Sequence, residues 1–291
     1  MCSSKIMSVV ETAVDRRGFL RASGAAALGA AAASTLRGTA ATTDSSGFPA
    51  VEGRFERVID CTQVLAPGIP SYFKLDLTIN NLDTVAKNGF YINQLVVPEH
   101  LGTHFDTPSH FIADGITAES IQGNQLIGPL VIIDIADRAA TNPNAEVTVQ
   151  DLEIWERRNG RIPRGALVAM YSNWAARWPT AAYLNADASG TYNFPGFGAD
   201  AAEFLVSQRD IIGIGCDSHS LDVGSSTTFP AHIAVLGAGK IGVEVIAGLD
   251  EVLAARNGQR HRGTAQYPII FIGGLKTLHG SGSPIRALVL V

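Results

Sequence analysis

The stretch EHLGTHFDTPSHF, residues 99–111, carries three of the seven histidines in the chain, His100, His104 and His110, together with Asp106. Imidazole nitrogen and carboxylate oxygen are donors suited to Zn2+, Mn2+ or Fe2+, at metal–ligand distances of about 2 Å. One isolated histidine is most often a satisfied core residue, but four such groups at this spacing point to a metal centre. In an extended chain these residues, all at even positions, would share one face. Laid straight, about ten residues span ~33 Å, far beyond one coordination sphere, so the segment must bend. Gly102 and Pro108 are placed to allow the bend. A helix would also bring His100 and His104 together, at i and i+4; Gly102, Pro108 and the nearby threonines argue against one. Three ligands from one loop leave coordination positions open to water, the layout of a catalytic site rather than a closed structural one.

The elements that must hold this loop are written in the rest of the chain. Apolar runs of strand length, rich in Val and Ile and bounded by Gly, Pro or Asp, recur at residues 55–61, 91–97, 129–135, 166–171, 211–215, 241–245, 269–272 and 285–291. Fewer segments read as helix: 149–158, which Thr148 can cap with Asp151 three residues on, then 199–208 and 230–236. Strands outnumber helices and do not alternate strictly with them. The expected class is therefore mixed α/β, strand-rich, with a large and partly antiparallel sheet. No linker interrupts residues 54–291, which read as one catalytic domain behind a polar, Gly/Ser/Thr-rich linker at 41–53.

The chain is 46% hydrophobic and 17% charged, enough apolar material for a sizeable core. Its net charge is −5 and it has no Lys/Arg run, so nucleic acid is not an expected partner. Residues 1–40 read differently. Asp15-Arg16-Arg17-Gly18-Phe19-Leu20-Arg21 precedes a stretch, 22–33, that is nearly all Ala, Gly and Ser. That order is the pattern of a bacterial twin-arginine export signal, with cleavage expected near Ala33 or Ala40-Ala41. The apolar run is too short and Ala-rich to span a bilayer stably. The expectation is an exported protein that meets the twin-arginine translocase already folded, a route suited to an enzyme that takes up its metal in the cytoplasm. Cys2 would leave with the signal. Cys61 and Cys216 either pair or stay as packed thiols, and no CxxC offers a thiolate zinc site.

The string His100-Leu-Gly-Thr-His104-Phe-Asp106-Thr-Pro-Ser-His110 resembles the HxGTHxDxPxH signature of the metal-dependent cyclase family, which includes bacterial kynurenine formamidases and isatin hydrolases. The likeness extends over most of residues 54–291: Ile59-Asp60 resembles the first strand, Asn193-Phe-Pro-Gly-Phe197 the middle, and Gly213-Ile-Gly-Cys-Asp-Ser-His-Ser-Leu-Asp222 the "GxDTxSLD" stretch. The resemblance implies a single swivelling β/β/α domain of the cyclase-like kind, binding one or two divalent ions, Zn2+ or Mn2+. It implies His100 and His104 as ligands of one ion, Asp106 as a bridge between ions, and His110 as the catalytic acid/base. His232 and Glu244, twelve residues apart, would complete the ligand set, His232 at the second ion and Glu244 touching both. The implied activity is hydrolysis of an amide, lactam or ester carbonyl in a small molecule by metal-activated water, and the implied assembly is a homo-oligomer. A cyclase or dehydratase reaction at the same site, or a non-catalytic exported metal binder, are the alternatives. The Trp-Pro-Gly-Asp-like stretch usual in formamidases is absent here; Tyr72 and Phe73, within Gly68-Ile-Pro-Ser-Tyr-Phe-Lys74, are the candidate aromatic wall of the substrate pocket.

Other patterns have plainer readings. Gly237-Ala-Gly239-Lys-Ile-Gly242 matches GxGxxG, but a helix-like segment precedes it and a strand-like one follows, the reverse of a dinucleotide site. No GxSxG elbow supports a serine hydrolase. His219 is read as lining the pocket or else exposed, His279 as a surface or pocket-edge residue and His261 as solvated. Trp155, Trp174 and Trp178 read as core, with Asn173-Trp174 as a candidate pocket border.

Overall fold

The apolar runs become strands because their side chains alternate into two separate cores. The computed structural model describes residues 55–259 and 267–291; the expected export signal, the linker and His261 lie outside the described residues. Among the described residues the strands are β1 (Val58–Asp60), β2 (Thr78–Asp83), β3 (Ile92–Val96), β4 (His104–Asp106), β5 (Ile127–Asp134), β6 (Glu146–Val147), β7 (Ala166–Tyr171), β8 (Gly196–Phe197), β9 (Ile211–Cys216), β10 (Ile241–Glu244), β11 (Ile269–Gly274) and β12 (Gly282–Leu290). The helices are α1 (Val85–Asn88), α2 (Ala136–Thr141), α3 (Val149–Asn159), α4 (Ala199–Gln208), α5 (Pro230–Gly237) and α6 (Leu249–Gln259).

The main sheet runs in the order β1-β12-β11-β5-β7-β9-β10-β4, and β4 also pairs with β12. Seven strands therefore close into a barrel-like ring, with β1 attached outside it to β12. Neighbours along β5, β7, β9 and β10 are parallel; the pairings through β4, β11 and β12 are antiparallel. This is the mixed, strand-rich α/β domain expected from the sequence.

Closure separates the cores. Phe105, Leu130, Leu167, Ile212, Val243, Ile270 and Ala287, one from each ring strand, belong to one buried cluster that fills the ring. Val131, Ile133, Val168, Met170 and Ile214 point the other way, against Leu152 and Trp155 of α3, Leu205 of α4 and Val235 of α5. Strands buried on both faces read as unbroken apolar runs, which is why β5, β7 and β9 were legible. Each fully buried Leu or Ile contributes roughly 1.5–3 kcal/mol of transfer free energy. Helix α3 starts at a reciprocal capping box: Asp151 N–H donates to Thr148 Oγ1 (3.2 Å) and Thr148 N–H to Asp151 Oδ2 (2.8 Å).

The short elements α1, α2, β6 and β8 were not read from the sequence, and three further features depart from it. Residues 104–106, read as part of a bent loop, form β4. The polar run Thr-Ile-Asn-Asn-Leu-Asp forms β2, paired only with β3 as a two-stranded ribbon. Helix α6, with Leu249 and Val252 buried, lacked a cap signal in the sequence. Cys61 and Cys216 are free, buried thiols in different core clusters. No described helix is long and apolar enough to cross a membrane.

Candidate metal centre

Strand β4 lies between β10 and β12. Because side chains alternate along it, Phe105 enters the ring core while His104 and Asp106 emerge on the outer face, where both are buried. The register sets what surrounds them. Glu244 of β10 stands opposite His104, and Gly242 opposite Asp106; across the other edge, Gly282 of β12 also stands opposite Asp106. The glycines make room. A Cβ at Gly242 would lie 2.9 Å from Asp106 Oδ2, and one at Gly282 2.7 Å from His100 Cε1. The bends fall at the two residues suited to them. Gly102 takes φ +65°, and Pro108 opens a one-turn 3-10 segment, Pro108–His110, that folds His110 back over His100. Their rings stack with centroids 3.7 Å apart. Helix α5 delivers His232 from above the sheet, and the Phe111 ring stacks on it at 4.6 Å.

Three imidazoles are held at one nitrogen by an outer partner, which turns the other toward the carboxylates. His104 Nδ1 donates to the Gly102 carbonyl (2.8 Å), leaving Nε2 3.4 Å from both Asp106 Oδ1 and Glu244 Oε2. His232 Nδ1 is held by Asp222 Oδ2 (2.6 Å), leaving Nε2 3.0 Å from Glu244 Oε1 and 3.6 Å from Asp106 Oδ2. Ser281 gives its hydroxyl proton to Glu99 (2.7 Å) and so accepts from His100 Nε2 (2.9 Å), leaving Nδ1 2.7 Å from Asp106 Oδ1. Asp222 also accepts from the Ala231 and His232 N–H groups (2.8 and 3.1 Å), so one carboxylate caps α5 and orients its histidine. Glu244 is fixed in turn by the Leu221 N–H (2.9 Å).

The charge balance favours a cation. Burial works to raise both carboxylates, but hydrogen bonds from the imidazoles hold Asp106 well below its usual range; Glu244, raised by burial and by Asp106, is brought down to about 2 by His104 and His232. Burial works to lower His104, yet its hydrogen bonds to Asp106 and Glu244 push it up to about 10, and the carboxylates around His232 raise it likewise. Two ionised carboxylates this deeply buried require positive charge beside them, as protons on the imidazoles or as a divalent ion. Asp106 Oδ2 is buried without a hydrogen-bond partner. Donor atoms of His104, Asp106 and Glu244 lie within 4.8 Å of one another, as do those of His100, Asp106 and His110. The residues thus fit one or two divalent ions, with Asp106 common to both groups. His110 falls in the His100 group and Glu244 in the His104 group, a division that spacing alone did not indicate.

These groups floor a cavity of about 190 Å³ whose upper wall is Tyr72, Phe73, Phe111 and Phe229, a volume suited to a small molecule of one or two rings. His100, His104, His110, His232 and Glu244 line it, as do Tyr72, Phe73 and His219, while Asp106 lies beneath. Burial pushes His110 and His219 each down to about 4, so both are neutral near pH 7. Asn173 and Trp174 do not border the cavity: Trp174 is fully buried with its indole N–H on the Tyr183 carbonyl (2.7 Å), and Asn173 faces a separate cavity beside Asp217. The GxGxxG stretch is the turn from α5 to β10, with no strand before it. His279 is exposed, near Glu119. The sequence reading assigned no role to Phe111, Phe229, Asp222, Ser281 or Glu99. Phe111 closes the histidine-rich run and Asp222 closes the Gly213 stretch, signals of position only; Ser281 and Glu99 meet only through the β4–β12 pairing.

The profile of the Cyclase family matches residues 59–223. An isatin hydrolase from Roseibium aggregatum is 33% identical over 265 residues, covering 84% of this chain and 95% of the relative. A kynurenine formamidase from Erythrobacter litoralis is 27% identical over 185 residues, 62% of this chain and 74% of the relative. The solved structure of isatin hydrolase A from Ralstonia solanacearum superposes with a TM-score of 0.71 at 31% identity, covering 81% of this chain and 92% of that one.

Proposed function

The chain belongs to the cyclase family and is a metal-dependent hydrolase, and from that premise we propose that it cleaves the amide bond of a small aromatic lactam or N-acyl arylamine. The observation that carries this reading is the buried carboxylate–imidazole cluster, with its unpartnered Asp106 oxygen, at the floor of an aromatic-walled cavity. Similarity to an isatin hydrolase and a kynurenine formamidase supports the substrate class.

His104, Asp106, Glu244 and His232 would hold one ion, and His100 with Asp106 a second; Zn2+ or Mn2+ suits this nitrogen–oxygen donor set. A divalent ion there supplies Lewis acidity, polarising a carbonyl and acidifying water. The protein does the rest. Tyr72, Phe73, Phe111 and Phe229 receive the aromatic ring and exclude bulk water. His110, neutral and stacked on His100 at the cavity wall, takes the proton released as water attacks and returns it to the leaving nitrogen, without which the C–N bond does not break. Asp222, Ser281 and Gly102 keep three imidazoles aimed at the reaction centre.

Residues 1–40 act in this reading as a twin-arginine export signal and 41–53 as a linker, supported by the order Arg16-Arg17, Phe19-Leu20 and the Ala-rich run. Assembly with further copies is supported by the β2–β3 ribbon, which leaves Leu82, Ile92, Leu95 and Val96 exposed.

Incubating the metal-replete enzyme with isatin and with formanilide in 18O-labelled water tests the reaction. We expect isatin to give the ring-opened acid with one solvent oxygen in its new carboxylate, and formanilide to give aniline together with formate carrying one solvent oxygen. Unchanged substrates, or a dehydrated or cyclised product without solvent oxygen, would refute it.

A further inference from the structure

His219 is 3% exposed, lines the cavity, and has neither ring nitrogen hydrogen-bonded. Its neighbours are aromatic rings: Tyr183, Tyr72 and Phe194, with centroids 5.9, 6.1 and 6.1 Å away. Two polar neighbours are committed elsewhere. Tyr183 donates its hydroxyl to the Asp217 carbonyl (2.9 Å), and Ser218 donates to the Pro195 carbonyl (2.7 Å). A buried imidazole without partners is costly unless something enters the cavity to meet it. Pure aromatic packing would have been served by Phe or Leu at this position. His104, His232 and His100 each have an outer partner that fixes the ring; His219 has none, so both its nitrogens are buried and uncommitted in a wall that is mostly aromatic.

We propose that His219 is a specificity-determining residue that hydrogen-bonds a carbonyl carried on the substrate's aromatic ring, next to the amide that is cleaved. The inference deepens the hydrolytic reading above and rests on it for the identity of the scissile group. Selection follows from the penalty for leaving the imidazole unmatched: a ring without the carbonyl fills the same space but leaves a buried donor bare.

The test separates selection from turnover by using ligands that hold no amide. Dissociation constants of 1-indanone and indane, the same bicycle with and without a ring carbonyl, are measured by calorimetry on the metal-replete enzyme and on His219→Phe and His219→Gln. The expected result is that His219→Phe shifts the ratio of the two constants by about tenfold against 1-indanone, while His219→Gln, which keeps a hydrogen-bonding group, retains most of the wild-type ratio. A ratio that does not move in His219→Phe overturns the proposal, because any preference then comes from elsewhere in the site; so does failure of the wild type to bind 1-indanone. Circular dichroism establishes that both variants are folded. Carbonyl selection without amide hydrolysis would sink the hydrolytic reading and leave His219 its role; hydrolysis with an unmoved ratio would do the reverse.

Discussion

His100, His104 and His232 are each engaged at both nitrogens, and this gives their outer partners measurable roles. Asp222 holds His232 Nδ1 at 2.6 Å and so fixes which nitrogen faces Glu244. Asp222→Asn keeps an oxygen to cap α5 but removes the charge; we expect divalent-ion affinity to fall by about 10–100-fold, read by titration with a competing chelator, and unchanged affinity would remove Asp222 from the orienting role. His110 has a different function in the proposal. His110→Ala is expected to lower kcat by about 10²–10⁴-fold while bound metal per chain stays constant; if rate and metal fall together, His110 is a ligand instead. At this scale the sequence was most readable where the groups crowd together, in residues 99–111. His232 and Glu244 could be placed only through family resemblance, because a single histidine on an apolar helix carries no mark of its purpose. Asp222 was missed because its two tasks arise from the fold of the chain before α5.

Elements explain why those side chains converge. Strand β4 has only three residues, two of them polar, and so no apolar period; it is a strand because β10 and β12, more than 130 residues away in sequence, bond to it from both sides. Register then places Glu244 opposite His104. That register depends on close approach of the parallel strands. A Cβ at Gly213 of β9 would lie 2.1 Å from the Ile241 carbonyl oxygen of β10, a backbone atom that cannot swing aside. Gly213→Ala is expected to cost about 1–3 kcal/mol or more, seen as a lower urea midpoint, with metal affinity falling as β10 shifts. An unchanged midpoint would mean the β9–β10 packing is looser than described. The long apolar strands and the Thr148-capped helix were readable because burial on both faces and a local cap leave marks in a short window. The β2–β3 ribbon was half-readable: β3 is apolar, but β2 is Asn-rich and exposed.

At the scale of the whole molecule, a closed ring with an apolar interior supports a polar site on its outer face, roofed by α5 and the Pro108–His110 turn. Ring closure through β4 and β12 joins segments that no local pattern connects, which is why the class but not the closure could be read from sequence. The site couples to pH with a definite sign. His104, pushed up to about 10, and His232, also raised, hold protons at neutral pH that a divalent ion must displace. Ion binding is therefore expected to release protons in weak buffer and to tighten as pH rises through the neutral range; affinity that is flat between about pH 6 and 8 would contradict this. In the ion-free protein the same raised values contribute stability that is full below the unfolded imidazole value of about 6.5 and lost as pH rises toward the folded one. The most direct measurement is elemental analysis of the purified, folded protein, paired with its amide hydrolysis before and after treatment with strong chelator. We expect one or two equivalents of Zn2+ or Mn2+ per chain, loss of hydrolysis with the metal, and recovery when the ion is restored; a metal-free protein that hydrolyses at full rate in chelator would contradict the account at its root.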